Sequence, residues 1–130
     1  MKDSGSLKTA GVGTLVYMAP EVCPRIEEGN VAEKRLPYNK TVDIYSVSLV
    51  MHELIGGHGG YKFFPCSDPR LMMITVCQAK SRRDPPQLQK LPIWPETLQG
   101  VIRRGVDADP QKRPSLKEFS EVIQETRTRT

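Results

Sequence analysis

The sequence predicts a mainly α-helical domain, and three observations carry that prediction. Four segments place apolar residues at helical spacing. Each is bounded by capping or chain-breaking residues. No stretch alternates apolar and polar residues over the length of a strand, and there is no internal repeat.

The clearest helix covers residues 41–55, TVDIYSVSLVMHELI. Ile44, Val47, Met51 and Leu54 recur on one side, while Tyr45, Leu49, Val50 and Ile55 fill much of the other. A helix that is apolar nearly all round is a buried one. Gly56-Gly57 supplies its stop, because glycine takes the left-handed cap conformation without strain. A second helix follows Asp68 as cap and Pro69 as first residue, with Leu71, Ile74 and Gln78 marking one face. Residues 80–95 read as a polar, proline-rich connection. A third helix runs from Pro95 to Val106 with Leu98, Val101 and Ile102 inward, and Asp109-Pro110 breaks it. The last starts at Ser115, which has capping-box spacing to Glu118, and buries Leu116, Phe119, Val122 and Ile123. Residues 1–16 read as a loop, and residues 24–40, with Pro24, Gly29, Pro37 and several charges, as a connection holding at most a short helix.

Composition excludes several classes of function. The chain has 130 residues, 38% of them hydrophobic, enough for one domain or part of one. No apolar run approaches the roughly 20 residues of a membrane helix. The polar start, MKDSGSLKTAG, does not resemble a secretory signal. Cys23, Cys66 and Cys77 are odd in number and far apart, so reduced thiols in a cytoplasmic protein are expected and no metal site is. His52 and His58 have no partner at ligand spacing, and His52 falls on the central helix as a structural residue. The net charge of +4 permits nucleic-acid binding. Yet Arg82-Arg83, Arg103-Arg104 and Lys112-Arg113 are scattered, with no interleaved aromatic platform, so no nucleic-acid partner is expected.

Three motifs carry a family resemblance. Gly13-Thr14-Leu15-Val16-Tyr17-Met18-Ala19-Pro20-Glu21 resembles the end of a protein kinase activation segment with its Ala-Pro-Glu motif. Asp43-Ile44-Tyr45-Ser46 resembles the start of the central helix of the kinase C-lobe. Asp109-Pro110-Gln111-Lys112-Arg113-Pro114-Ser115 resembles the late motif before the last helix. Their order and spacing match, and the resemblance covers nearly the whole chain. It implies the helical C-lobe portion of the protein-kinase-like fold without the N-lobe and catalytic loop. Residues 1–21 would be activation segment, 41–55 the central buried helix and 68–126 the C-terminal helices. The style of the central helix and the last motif points to a tyrosine-kinase-like or related Ser/Thr branch.

The resemblance also implies roles. Glu21 and Arg113 would form a buried ion pair, arginine suiting it through its two-point fork. Asp43 would brace the catalytic loop. Gly13, Thr14 and Tyr17 would belong to the loop that receives the residue after the target hydroxyl, and the Gly-Thr pair implies Ser/Thr substrates. Ser4, Ser6 and Thr9 are candidate phosphorylation sites. One departure stands out: the family usually has glycine where this chain has Ser48, which puts the standard packing there in question. The connection from Val22 to Thr41 is also longer than the family's usual one.

The parts that perform phosphoryl transfer are not found in these 130 residues. There is no ATP-binding lysine strand under a glycine-rich loop, no catalytic aspartate and asparagine, and no Asp-Phe-Gly. Gly11-Val12-Gly13 with Val31-Ala32-Glu33-Lys34 only mimics the first pair: Val16 holds the third glycine position, and Pro20 and Pro24 interrupt the strands between. The chain alone is therefore expected to be inactive and to bind no cofactor, ATP and Mg belonging to an intact parent. Three functions remain in view: part of a Ser/Thr kinase, with protein substrates or the missing kinase half as partners; a non-catalytic kinase-like protein-binding module or truncated gene product; and, on charge alone, a helical nucleic-acid binder. Without upstream helices to cover it, part of the 44–55 helix is expected to be exposed.

Overall fold

A computed structural model describes residues 15–23, 25–27, 30–32, 39–57 and 60–129. The described residues are mainly helical. Helix α1 spans Lys40–Gly56, α2 Met72–Ser81, α3 Glu96–Gly105 and α4 Leu116–Arg129, and short 3-10 turns lie at Pro20–Val22, Gly60–Phe63, Pro69–Leu71 and Pro110–Lys112.

Helix α1 begins one residue earlier than the spacing predicts because Asn39 caps it. The Asn39 side-chain oxygen accepts hydrogen bonds from the backbone N–H groups of Thr41 (3.0 Å) and Val42 (3.1 Å). Its removal in Asn39→Ala is expected to lower stability by about 1 kcal/mol, read as a shift in the midpoint of urea unfolding. At the other end Gly57 takes φ 71°, in the left-handed region, and its N–H bonds the Glu53 carbonyl, as the paired glycines predict.

Helix α1 forms the wall between two cores. On one side Tyr45 and Leu49 pack with Ala19, Val22, Phe63 and Val76; on the other Ile44 packs with Leu98, Val101, Ile102 and Phe119. A third side is open. Val47, Val50 and Leu54, at 44%, 42% and 74% exposure, share a stripe with exposed Asp43, which is the uncovered strip expected for this helix.

Several elements differ in detail from the sequence reading. A two-stranded antiparallel ribbon, β1 (Arg25–Glu27) and β2 (Asn30–Ala32), occupies part of the connection in which no strand was expected. Glu27 pairs with Asn30, and three-residue strands are too short for alternation to be visible in the sequence. Asp68 caps the Pro69–Leu71 turn, accepting from Arg70 N–H, rather than α2 itself. The Leu71–Ile74–Gln78 face of α2 is the exposed one, and Val76, Cys77, Ala79 and Lys80 point inward. Helix α2 closes through hydrogen bonds from Arg83 N–H to Lys80 and from Asp84 N–H to Ala79, with Arg83 at φ 63° where glycine is usual. The Ser115 hydroxyl caps α4 through Glu118 N–H (3.1 Å), but the Glu118 carboxylate turns to Arg104 (2.6 Å) instead of completing the box. In α4, Phe119 is buried and Leu116 is 55% exposed, so Leu116 is not part of the inward face.

The connection after α2 is pinned by side chains. Gln99 accepts from Leu91 N–H (3.0 Å) and donates to the carbonyls of Leu91 (2.7 Å) and Trp94 (2.9 Å). His52 Nε2 donates to the Gln89 carbonyl (3.0 Å), and its ring meets Phe63 edge-on at 5.6 Å, the structural role expected of it. No helix among the described residues is long and apolar enough to cross a membrane.

Candidate functional site: the anchored segment 15–23

Residues 15–23 lie across α1 and α2 and are held at three points. The first is Glu21 with Arg113. The Arg113 side chain is fully buried and that of Glu21 is 13% exposed. Arg113 Nη1 and Nη2 donate to the two Glu21 carboxylate oxygens at 2.6 and 2.9 Å, the two-point geometry predicted. The fork has further acceptors: Nε donates to the Asp107 carbonyl (2.8 Å) and Nη1 to the Thr41 carbonyl (3.1 Å), and the guanidinium lies 5.1 Å from the Tyr45 ring centre. Burial pushes the Glu21 carboxyl up. The Arg113 hydrogen bond, the backbone N–H of Glu21 and the charges of Arg113 and Arg83 outweigh it, so the group sits below its ordinary value. A buried charge is tolerable only with this degree of satisfaction.

The second anchor joins Tyr17 and α1. The Tyr17 hydroxyl donates to Glu53 Oε1, and the Ser46 hydroxyl donates to the Tyr17 carbonyl (2.7 Å). Burial, the hydrogen bond to Glu53 and the Glu53 charge together push the Tyr17 phenol up to about 12, so it remains a donor at any ordinary pH.

The third anchor, Lys80, has no counterpart in the sequence reading. Its side chain is 1% exposed. Nζ donates to the carbonyls of Val16 (2.9 Å) and Met18 and to the Tyr45 hydroxyl (3.0 Å), and it lies 4.4 and 4.9 Å from the ring centres of Tyr45 and Phe64. All three ammonium hydrogens are therefore used. Burial pushes the Lys80 ammonium down to about 7, opposed by Cys23, reinforced by Arg113, and opposed again by Glu21 and Cys77. The signal for Lys80 in the sequence is only its place on the Val76–Cys77–Ala79 face. A lysine at the end of a helix is ordinarily solvated.

The other expected site residues do not all converge. Asp43 is exposed on the open stripe of α1, and among the described residues no partner engages its carboxylate. Gly13, Thr14, Ser4, Ser6 and Thr9 lie outside the described residues. Ser48 is buried and its hydroxyl donates to the Ile44 carbonyl (2.6 Å). The packing questioned at Ser48 is met by α3, which presents a glycine there. A β-carbon at Gly105 would lie 1.8 Å from Ser48 Oγ.

Among the described residues no group of three or more His, Cys, Asp or Glu could hold a metal ion, so no step of phosphoryl transfer is assigned to them. What the arrangement does is fix a stretch of backbone, residues 15–23, against two helices.

Comparison with known proteins agrees with this architecture. Residues 1–124 match the family model described as Protein kinase domain. The chain is 30% identical over 118 residues to the dual specificity protein kinase shkE of Dictyostelium discoideum, covering 91% of this chain and 14% of that protein. It is 32% identical over 114 residues to shkD of the same organism, covering 88% and 13%. It is 31% identical over 108 residues to the human serine/threonine-protein kinase PAK 4, covering 83% and 15%. The chain thus spans about a seventh of these relatives' own length. With the segment ending in Ala19-Pro20-Glu21, the Glu21–Arg113 pair and the family match over residues 1–124 in agreement, the chain belongs to the protein kinase family.

Proposed function

We propose that this chain is the substrate-side part of a Ser/Thr protein kinase C-lobe, whose intact parent transfers the γ-phosphate of ATP to protein hydroxyls. The observation that carries the reading is the anchoring of residues 15–23 by the two-point Glu21–Arg113 pair. A loop that must present a protein substrate in register with a reacting phosphate needs a rigid footing. The Ser46 and Lys80 contacts to the Tyr17, Val16 and Met18 carbonyls fix that footing, and by resemblance Thr14, just before it in sequence, belongs to the loop that receives the residue after the target hydroxyl. Ser/Thr specificity rests on Gly13-Thr14 and on the name of the PAK 4 relative. The two Dictyostelium relatives are named dual specificity kinases, so tyrosine acceptance belongs among the outcomes to be measured.

The open stripe of α1, Val47, Val50 and Leu54 with Asp43 at its head, is the surface onto which the catalytic loop and upstream helices of the same domain would pack. It also suits the second reading, a non-catalytic module that binds a protein there. The deciding experiment is the intact mass and sequence of the endogenous polypeptide, followed by a phosphorylation assay on it with peptide substrates. The proposal expects an upstream catalytic aspartate and Asp-Phe-Gly, transfer to serine and threonine, and loss of transfer in Thr14→Val. A polypeptide without those elements, or one that has them and transfers no phosphate, supports the binding module instead.

A further inference from the structure

Cys23 and Cys77 are far apart in sequence and together in the fold. Cys23 follows the Pro20–Val22 turn, which packs directly against α2, and Cys77 lies on the inward face of α2. Both are buried, at 2% and 1% exposure, in the same apolar core. Their thiols share a hydrogen bond, and the Lys80 ammonium one turn further along α2 acts on both. The hydrogen bond to Cys23 and the Lys80 charge lower the Cys77 thiol, against the opposing effect of burial. The pair is not sealed off. A surface pocket of about 210 Å³ is lined by Cys77, Gln78, Ser81 and Arg82, so Cys77 forms part of the wall of an open cleft that also carries a guanidinium. Cys66 stands apart: its thiol is half-buried and engaged by the Asp68 carbonyl (3.1 Å) and the Thr75 hydroxyl (3.2 Å).

We propose that Cys77 and Cys23 form a peroxide-sensitive dithiol, in which Cys77 is reached from the surface pocket and Cys23 resolves it to a disulfide. The oxidant is a small hydroperoxide, with hydrogen peroxide as the probe. The Cys77 sulfur, as thiolate, attacks one peroxide oxygen. The O–O bond breaks, the leaving hydroxide takes up a proton as water, and Cys77 becomes a sulfenic acid. The Cys23 sulfur then attacks the Cys77 sulfur. The S–O bond breaks, and the hydroxyl leaves with the Cys23 proton as a second water. In total, hydrogen peroxide is reduced to two waters and the chain loses two hydrogens. The Lys80 charge favours the first step by stabilising the thiolate. The new bond ties residue 23 to α2, two residues from Glu21 and beside the Lys80 contacts. Its effect on substrate binding rests on the kinase reading above, whereas the thiol chemistry does not.

The test uses the full 130-residue chain, exposed to hydrogen peroxide in native buffer, alkylated, digested without reductant and analysed by mass spectrometry. The expected result is a peptide linking Cys23 to Cys77, lighter by two hydrogens and reversed by dithiothreitol, with Cys66 recovered alkylated. In Cys23→Ser the link disappears and a dimedone adduct accumulates on Cys77. Wild-type chain in concentrated urea is the control that needs no variant, and there the link should form at least tenfold more slowly. Oxidation confined to Cys66, a link equally fast in urea, or Cys77 unmodified in the folded chain overturns the proposal. None of these results depends on phosphoryl transfer, so failure here and failure of the kinase reading are separate findings.

Discussion

Replacing Arg113 by alanine is expected to lower the stability of the chain by about 3–5 kcal/mol, because it leaves the Glu21 carboxylate without its partner in a largely buried site. The loss should appear as a lower urea midpoint with an unchanged slope. Arg113→Lys should recover little. An ammonium cannot reach both Glu21 oxygens and the carbonyls of Asp107 and Thr41 from one planar fork. Removing both charges, as in Glu21→Gln with Arg113→Met, should cost less than Arg113→Ala alone, since no unpaired charge remains. If the double variant is as unstable as the sum of the single ones, the pair is not the coupled unit the geometry describes.

The same pair sets an acid dependence. The Glu21 carboxyl is held below its ordinary 4.5 in the folded chain. Between the folded and unfolded values the unfolded chain binds more protons, so stability falls as the pH is lowered. The contribution is complete above about pH 4.5 and is lost as the pH drops through the folded value. Glu21→Gln should flatten this part of the stability profile. An unchanged acid slope in that variant would assign the effect to other carboxylates.

Gly105→Ala is the second large expected effect. The added methyl would lie 1.8 Å from Ser48 Oγ, 2.8 Å from Ser48 Cβ and 3.5 Å from Ile44 Cγ2. Alanine gains at most about 1 kcal/mol of helix propensity over glycine, and less at the last residue of a helix. Overpacking a fixed core typically costs about 1–3 kcal/mol, and contacts this short belong at or above the upper end. The variant should therefore be destabilised by about 2 kcal/mol or more. Ser48→Gly in the same chain should restore most of the loss, because it removes both close atoms. Ser48→Ala should restore only part, since its β-carbon stays. The thermal midpoints of the wild-type chain and these three variants measure this coupling, and no recovery in the double variants would sink it. The absence of a side chain at Gly105 thus leaves the room that Ser48 occupies between α1 and α3.

The legible part of this protein was the local part. Apolar spacing in α1, the Gly57 stop, the inward Leu98–Val101–Ile102 face and the Ser115 cap all follow from residues within a turn or two of one another. Local chemistry is sufficient for them. Glu21 and Arg113 were legible only through their motifs. Ninety-two positions separate them, and nothing in spacing alone joins two such charges. The short β-ribbon was too brief to leave a pattern. The α2 face was misleading, because its visible apolar stripe, Leu71 and Ile74, is the exposed one while a lysine goes inside.

By itself, then, the sequence determined the helical class, the four helices with most of their ends, and the motifs that mark part of a protein kinase domain. Tertiary structure alone decided which charges are buried, that Lys80 spends two hydrogens on the segment it holds and the third on Tyr45, that Gly105 makes room for Ser48, and that two distant thiols meet. The physical reason is range. Propensity and capping act between neighbours in sequence, whereas desolvation, ion pairing and close packing depend on what the fold brings within a few ångströms.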